Sequence, residues 1–197
     1  MASVTLNSPN GSIVLTPEDG VGEASITLPR VGYMAADATT GTVLQTVHKK
    51  VDTRATYAFA TAGQTGTYIS ALDTTITPSS TSSRIIINFN LSYEVHHDTI
   101  FRLYRGSTEI LRNTTDANYW SGWKNPGYDA DTNSTPRTTH FMDIDSPNTT
   151  SAITYRLMIQ SAGVGASTFY LNRTVASAGA NTLEAATSTI ILQEIAS

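Results

Sequence analysis

The sequence predicts an all-β protein, an antiparallel β-sandwich or jelly roll, and three observations carry that expectation. No window of a dozen residues shows an apolar stripe at i, i+3, i+4 and i+7. The apolar residues come in short runs, many of them alternating, with Gly, Pro, Asn and Ser clusters between them. Ser and Thr make up roughly a quarter of the 197 residues, and β-branched Thr suits a pleated, half-exposed surface. From about residue 42 onward this amounts to roughly nine or ten short strands separated by turn signals. Local pattern does not fix their order.

Taken in order, the first elements are the weakest. Residues 4–6, 12–16 and 24–28 are strand-like pieces punctuated by Asn10-Gly11, by Pro17-Glu18-Asp19-Gly20 and by Pro29-Arg30. They bury too little apolar surface to offset their own ordering entropy. Residues 33–41 are small, polar and glycine-terminated, and read as a linker. The expected organisation is therefore an extended segment at 1–41, ordered by contact with other chains, and a sandwich domain at 42–197. Within that domain 42–51, 54–60 and 68–77 are weaker strand candidates. Residues 84–92 (RIIINFNLS) give the clearest strand. Ile85, Ile87, Phe89 and Leu91 share one face, and Ile86, Asn88, Asn90 and Ser92 the other. In 99–105, Phe101 and Leu103 oppose Ile100, Arg102 and Tyr104. Residues 108–112 and 138–145 are weaker. In 152–161, Ile153, Tyr155, Leu157 and Ile159 face away from Thr154, Arg156, Met158 and Gln160. Residues 167–172 and the strong run 188–195 (STIILQEI) close the chain.

Composition excludes several classes. Charged residues are 14% of the chain, below the typical ~25%. Twelve Lys+Arg stand against 16 Asp+Glu, a net charge of −4, so nucleic acid is not the expected partner. With no cysteine, there is neither a disulfide scaffold nor a thiolate metal site or nucleophile. No apolar run approaches the ~20 residues of a membrane span. Met1-Ala2-Ser3-Val4 shows no basic or apolar signal-peptide region, so synthesis in a cytoplasm is expected.

Motifs that carry chemistry are few. His96-His97-Asp98, with His140 as a third ligand, is the only metal-like grouping of histidines. Neighbours on a strand point to opposite faces, so a polar turn is the plainer reading and no metal is expected. Asp129-Ala130-Asp131-Thr132-Asn133 opens like a calcium loop, but Ser134 and His140 stand where Gly and Glu are needed. A Ser-His-Asp set lacks a G-x-S-x-G elbow. Asp143 and Asp145 share a strand face as a glycosidase pair would, yet a charged edge strand explains them as well. No catalytic residue and no cofactor are expected. The sequons at Asn10, Asn90, Asn113, Asn133, Asn148 and Asn172 reflect a chain rich in Asn, Ser and Thr.

The most informative irregular stretch is 113–137. It holds Tyr119, Trp120, Trp123 and Tyr128 among Gly, Asn, Asp and Ser, and both tryptophans of the protein. Long loops inside compact domains are often functional, and aromatics among adaptable polar residues are the make-up of a recognition surface. These four residues are the candidate receptor-binding set, able to stack on a sugar ring. The other reading is that the tryptophans plug an end of the sandwich or a seam between subunits.

Several stretches also carry a resemblance. Residues 77–89 (TPSSTSSRIIINF), 101–110 (FRLYRGSTEI), 188–195 (STIILQEI) and the segment SPNGSIVLTPEDGVGEASITLPRVGYM are similar to stretches of fibre and receptor-binding proteins of tailed bacteriophages. The resemblance implies a virion fibre whose head is a jelly-roll-like β-sandwich of the tumour-necrosis-factor-like or complement-globular-head kind. Such heads assemble as homotrimers. It further implies that 1–41 attaches the trimer to other virion proteins, in the tail, the baseplate or the capsid. The expected function is non-enzymatic adhesion of the virion to a host surface glycan or protein, without membrane insertion. The alternative is a capsid-decorating or head-fibre protein with a structural role.

Overall fold

The computed structural model describes residues 4–8, 11–15, 40–59, 66–95, 98–111, 121–125, 135–161, 166–176 and 184–197. The chain divides into two compact units, 1–37 and 38–197. In the first, β1 (Val4–Ser8) and β2 (Gly11–Leu15) form an antiparallel hairpin with Val4 opposite Leu15 and Ser8 opposite Gly11.

The second unit is all-β, with two antiparallel sheets arranged as a sandwich. Its strands are β3 (Val43–Val51), β4 (Ala55–Phe59), β5 (Thr67–Tyr68), β6 (Thr74–Ile76), β7 (Arg84–Val95), β8 (Thr99–Arg105), β9 (Thr108–Glu109), β10 (Trp123–Lys124), β11 (Arg137–Asp145), β12 (Ile153–Ser161), β13 (Ser167–Leu171) and β14 (Ser188–Ile195). In the larger sheet β7 is central. One edge of β7 pairs with β11, and the other pairs first with β14 and then, past Asn90, with β13. β3 lies beyond β14, and β4 beyond β13. The smaller sheet runs β10-β8-β12-β5, with β6 farther along β12 and β9 on the end of β8.

Strand alternation builds the core. Ile85, Ile87, Phe89 and Leu91 point inward from β7 and are fully buried, as are Ile190 and Leu192 of β14. Phe101 and Leu103 of β8 and Tyr155, Leu157 and Ile159 of β12 meet them from the smaller sheet. Phe101 lies at the centre of an aromatic cluster, 4.8 Å from Phe141, 5.3 Å from Tyr93 and 5.9 Å from Phe169 between ring centroids.

Three departures from the expected elements have physical causes. The stretch 68–77 is broken by a 3-10 turn at Ser70–Leu72. Its buried residues Ile69 and Leu72 are three apart, an odd step that no continuous strand can bury on one face, whereas Leu72, Thr74 and Ile76 follow the strand period. β7 runs on to Val95, and its alternation stops at Leu91. Ser92 and Glu94, on the face that is otherwise open, are covered by 135–138 and 174–176. A two-residue strand, β10, lies inside what reads as a loop. Gly122 makes its approach to β8 feasible: its φ is +144°, and a Cβ there would sit 2.4 Å from the Phe101 carbonyl oxygen.

Buried polar groups fasten the ends of the sandwich. At one end Asp145, Ile85, Glu194 and Gln45 form one inward row across the larger sheet. Asp145 reaches the smaller sheet, where Arg105 Nη1 donates to both of its oxygens at 3.0 and 2.9 Å and the Tyr155 hydroxyl donates at 2.8 Å. Burial, with the adjoining carboxylate, pushes the Tyr155 hydroxyl far above its ordinary titration range. Glu194 accepts from Ser79 N–H (2.7 Å), Ser79 Oγ (2.6 Å) and Gln45 Nε2. At the other end Glu94 accepts from Thr135 N–H and Oγ and from Val175 N–H. Asn172, at φ +56°, donates from Nδ2 to the carbonyls of Val51 and Thr53, and its Oδ1 accepts from Ser188 Oγ.

Candidate functional site

Of the four aromatic residues singled out in the sequence, Trp123 is described. It sits on β10 opposite Phe101 of β8, half-buried, with its ring stacked on Phe141 at 5.0 Å and 14°. That contact carries it from the smaller sheet to the larger one, against the rim of the aromatic cluster. Asn125, two residues on, is buried and accepts from the hydroxyl of Tyr93. Burial raises the Tyr93 hydroxyl above its ordinary range, partly offset by the Thr139 hydrogen bond and the Arg137 charge. Tyr119, Trp120 and Tyr128 lie outside the described residues.

Other sequence candidates fall on different parts of the fold. His96 and His97 and the stretch 129–133 lie outside the described residues. His140 is exposed on β11, and among the described residues no three His, Asp or Glu side chains cluster as metal ligands. Asp145 is committed to Arg105 and Tyr155, while Asp143 accepts the N–H of its neighbour Ile144. The two carboxylates therefore do not face a common gap as an acid and base would. Asn90 and Asn148 are exposed, whereas Asn172 is fully buried. No helix among the described residues is long and apolar enough to cross a membrane.

The two outer faces of the sandwich differ. On the larger sheet the register places Ile144, Ile86, Gln193 and Thr46 in one row from β11 across β7 and β14 to β3. The next row is Met142, Asn88, Ile191 and His48, and a third is His140, Asn90, Thr189 and Lys50. No residue in these rows is acidic, and Lys50, at the far edge, is the only permanent charge. Met142 and Ile144 are 59% and 53% exposed, adjacent on an edge strand beside Ile86 and Ile191. Val43 and Leu44, at the start of β3, are also exposed. Met142 and Ile144 thus expose apolar side chains next to the partly buried Ile86 and Ile191, on rows that carry little charge.

The smaller sheet turns a polar, aromatic face outward. Arg102 donates from Nε and Nη2 to the two oxygens of Glu109 and from Nη1 to Gln160. The Glu109 hydrogen bond raises the Arg102 guanidinium above its ordinary range, outweighing burial. Tyr104 and Tyr68 meet edge to face at 5.3 Å, and the Arg156 guanidinium lies 3.9 Å over the Tyr68 ring. These contacts join β5, β8, β9 and β12, and sequence reading found none of them. Alternation gives only the shared outward face of Arg102, Tyr104 and Arg156; Glu109 reaches Arg102 across the β8–β9 hairpin, and Gln160, Tyr68 and Asp73 come from distant segments.

No family model matches the chain, and no curated protein matches it in sequence. Among solved structures, the chain is similar to one from infectious bursal disease virus, Gx strain, at 13% identity and a TM-score of 0.36, over 98% of this chain and 46% of that one. It is also similar to a mutant VP2 protein of infectious bursal disease virus in derived T=1 particles, at 12% identity and a TM-score of 0.35, over 94% and 45%. The chain spans less than half the length of either.

Proposed function

We propose that this chain is a non-enzymatic, homotrimeric virion protein that carries a jelly-roll-like head and serves adhesion to a host surface glycan or protein. Residues 42–197 form the head and 1–41 attach it to the particle. Two features of the head support this reading. Strand order in the larger sheet (β3-β14-β7-β11) and in the smaller (β5-β12-β8-β10) sets the first long strand beside the last and sends successive strands across the sandwich, as a jelly roll requires. The observation that carries the oligomer is the outer face of the larger sheet, where Ile86, Met142, Ile144 and Ile191 stand in adjacent rows without acidic neighbours. A second and third copy of the chain would cover it. Three weak sites per trimer, and several trimers per particle, then raise avidity without any tight single site.

Sedimentation of the purified chain tests the assembly. A trimer is expected for the native sequence, and a folded monomer for the double variant Met142→Asp, Ile144→Asp. A native chain that stays monomeric at micromolar concentration would overturn the reading. For adhesion, the purified trimer should bind host cells and compete with infection. Imaging of virions labelled against this chain separates a tail location from a capsid one.

A further inference from the structure

We propose that Arg156 anchors an oxyanion-binding subsite on the outer face of the smaller sheet, taking a carboxylate or phosphate group carried on a saccharide. The saccharide carrier rests on the adhesion reading above; the oxyanion chemistry does not. Arg156 is held in place from two directions. Its guanidinium lies 3.9 Å over the Tyr68 ring, and its Nε donates to Asp73 Oδ2 at 2.9 Å. Stacking on an aromatic face and a charge-assisted hydrogen bond together fix the plane of the group.

What is left over is the informative part. A guanidinium commonly grips a carboxylate through two nitrogens. Arg102, one strand away, does so with Glu109 and gives its third nitrogen to Gln160. Arg156 instead touches Asp73 through Nε alone, and among the described residues Nη1 and Nη2 have no hydrogen-bond acceptor. The side chain is 30% exposed, so this fork is fixed yet open to solvent. The Tyr68 hydroxyl, beside it, likewise has no hydrogen bond among the described residues.

Lys49 Nζ donates to the Asp73 backbone carbonyl at 2.8 Å, so the residue that holds Arg156 is also contacted by a second cation. The four N–H bonds of Nη1 and Nη2 lie in one plane at the spacing of two oxygens of a carboxylate or phosphate. An incoming oxyanion meets a group already ordered, so the side-chain entropy that normally weakens an exposed ion pair has been lost on folding.

The test uses the intact chain and three probes: polygalacturonate for a carboxylated saccharide, glucose 6-phosphate for a phosphorylated one, and neutral dextran. Affinity electrophoresis reads the polymers and titration calorimetry the phosphate. Binding of at least one acidic probe and not of dextran is expected. Arg156→Gln should weaken it about tenfold or more, and Arg156→Lys, which keeps the charge and loses the fork, by a smaller factor. Thermal melting checks that both variants are folded; should Arg156→Gln fail to fold, the same comparison is made with Arg156→Lys alone. No acidic probe binding the native chain, or binding unchanged in a folded variant, overturns the subsite. Adsorption to host cells without any acidic-probe binding, or with probe binding unchanged in folded Arg156→Gln, removes the subsite and leaves adhesion standing. Probe binding that depends on Arg156, without adsorption to cells, does the reverse.

Discussion

The two sheets share one core and finish their outer faces in opposite ways. On the smaller sheet Arg102, Glu109 and Gln160 satisfy one another, and Tyr68, Tyr104 and Arg156 pack ring against ring and cation. On the larger sheet Ile86, Asn88, Met142, Ile144 and Ile191 find no such partners among the described residues, because the register sets apolar beside amide beside apolar. A face whose groups are polar, some matched to one another and the rest open to water, is stable in water. A face of exposed methyl groups on an edge strand gains by being covered. Under the proposed function the difference would give the sheets separate tasks, the larger facing copies of the chain and the smaller facing what the particle meets.

The largest expected effect tests whether both sheets depend on one interior. Phe101→Ala should cost about 3–5 kcal/mol, seen as a lower urea midpoint in one transition common to all probes. Two transitions would break the comparison by showing sheets that unfold apart. Next comes Glu194→Ala, expected to cost about 2 kcal/mol because the donors from Ser79 and Gln45 lose their acceptor. The same residue sets a pH limb. Burial disfavours its charged form, but the hydrogen bonds outweigh burial and hold the folded carboxyl below its ordinary value. Its stabilisation is therefore complete above the unfolded carboxyl range of about pH 4.3 and is lost as pH falls through the lower folded value. Glu194→Gln should flatten that acid limb in urea titrations repeated across pH.

A smaller effect separates the two faces. Glu109→Gln should lower stability by about 1 kcal/mol, and the difference should shrink in high salt, since the pair with Arg102 is partly exposed. Smallest for the fold is Ile191→Thr on the larger sheet. It should shift the urea midpoint of dilute, dissociated chain by less than about 0.5 kcal/mol, while analytical sedimentation shows the assembly weakened. An effect on subunit stability comparable to Phe101→Ala would mean that Ile191 belongs to the interior and not to a seam.

Much of the fold class was legible because β7 as far as Leu91 and β14 as far as Glu194 alternate between a buried and an open face, and β8 and β12 carry their fully buried core residues at every second position. Ile85 through Leu91 declare their side of the sheet in sequence alone. Legibility failed where burial came from elsewhere in the chain. Glu94 lies beyond the expected end of its strand at Ser92, and is buried because 135 and 175 return to it. Trp123 reads as a loop aromatic, but a two-residue pairing with β8 sets its ring on Phe141. The open fork of Arg156 depends on a stack with Tyr68 and an end-on contact with Asp73, and both lie more than eighty residues away. Periodicity reports which way a side chain points; it carries no information about what arrives opposite.

The buried hub at Asn172 bears on how the protein can be produced. Asn172-Arg173-Thr174 is an acceptor triplet for oligosaccharyl transfer, which acts on nascent polypeptide before folding is complete. In the finished molecule Nδ2 is spent on the carbonyls of Val51 and Thr53, with no room for a sugar. Expression routed through a eukaryotic secretory pathway would attach a bulky group to the one amide that ties β3, β13 and β14 together, and bacterial cytosolic expression avoids that collision.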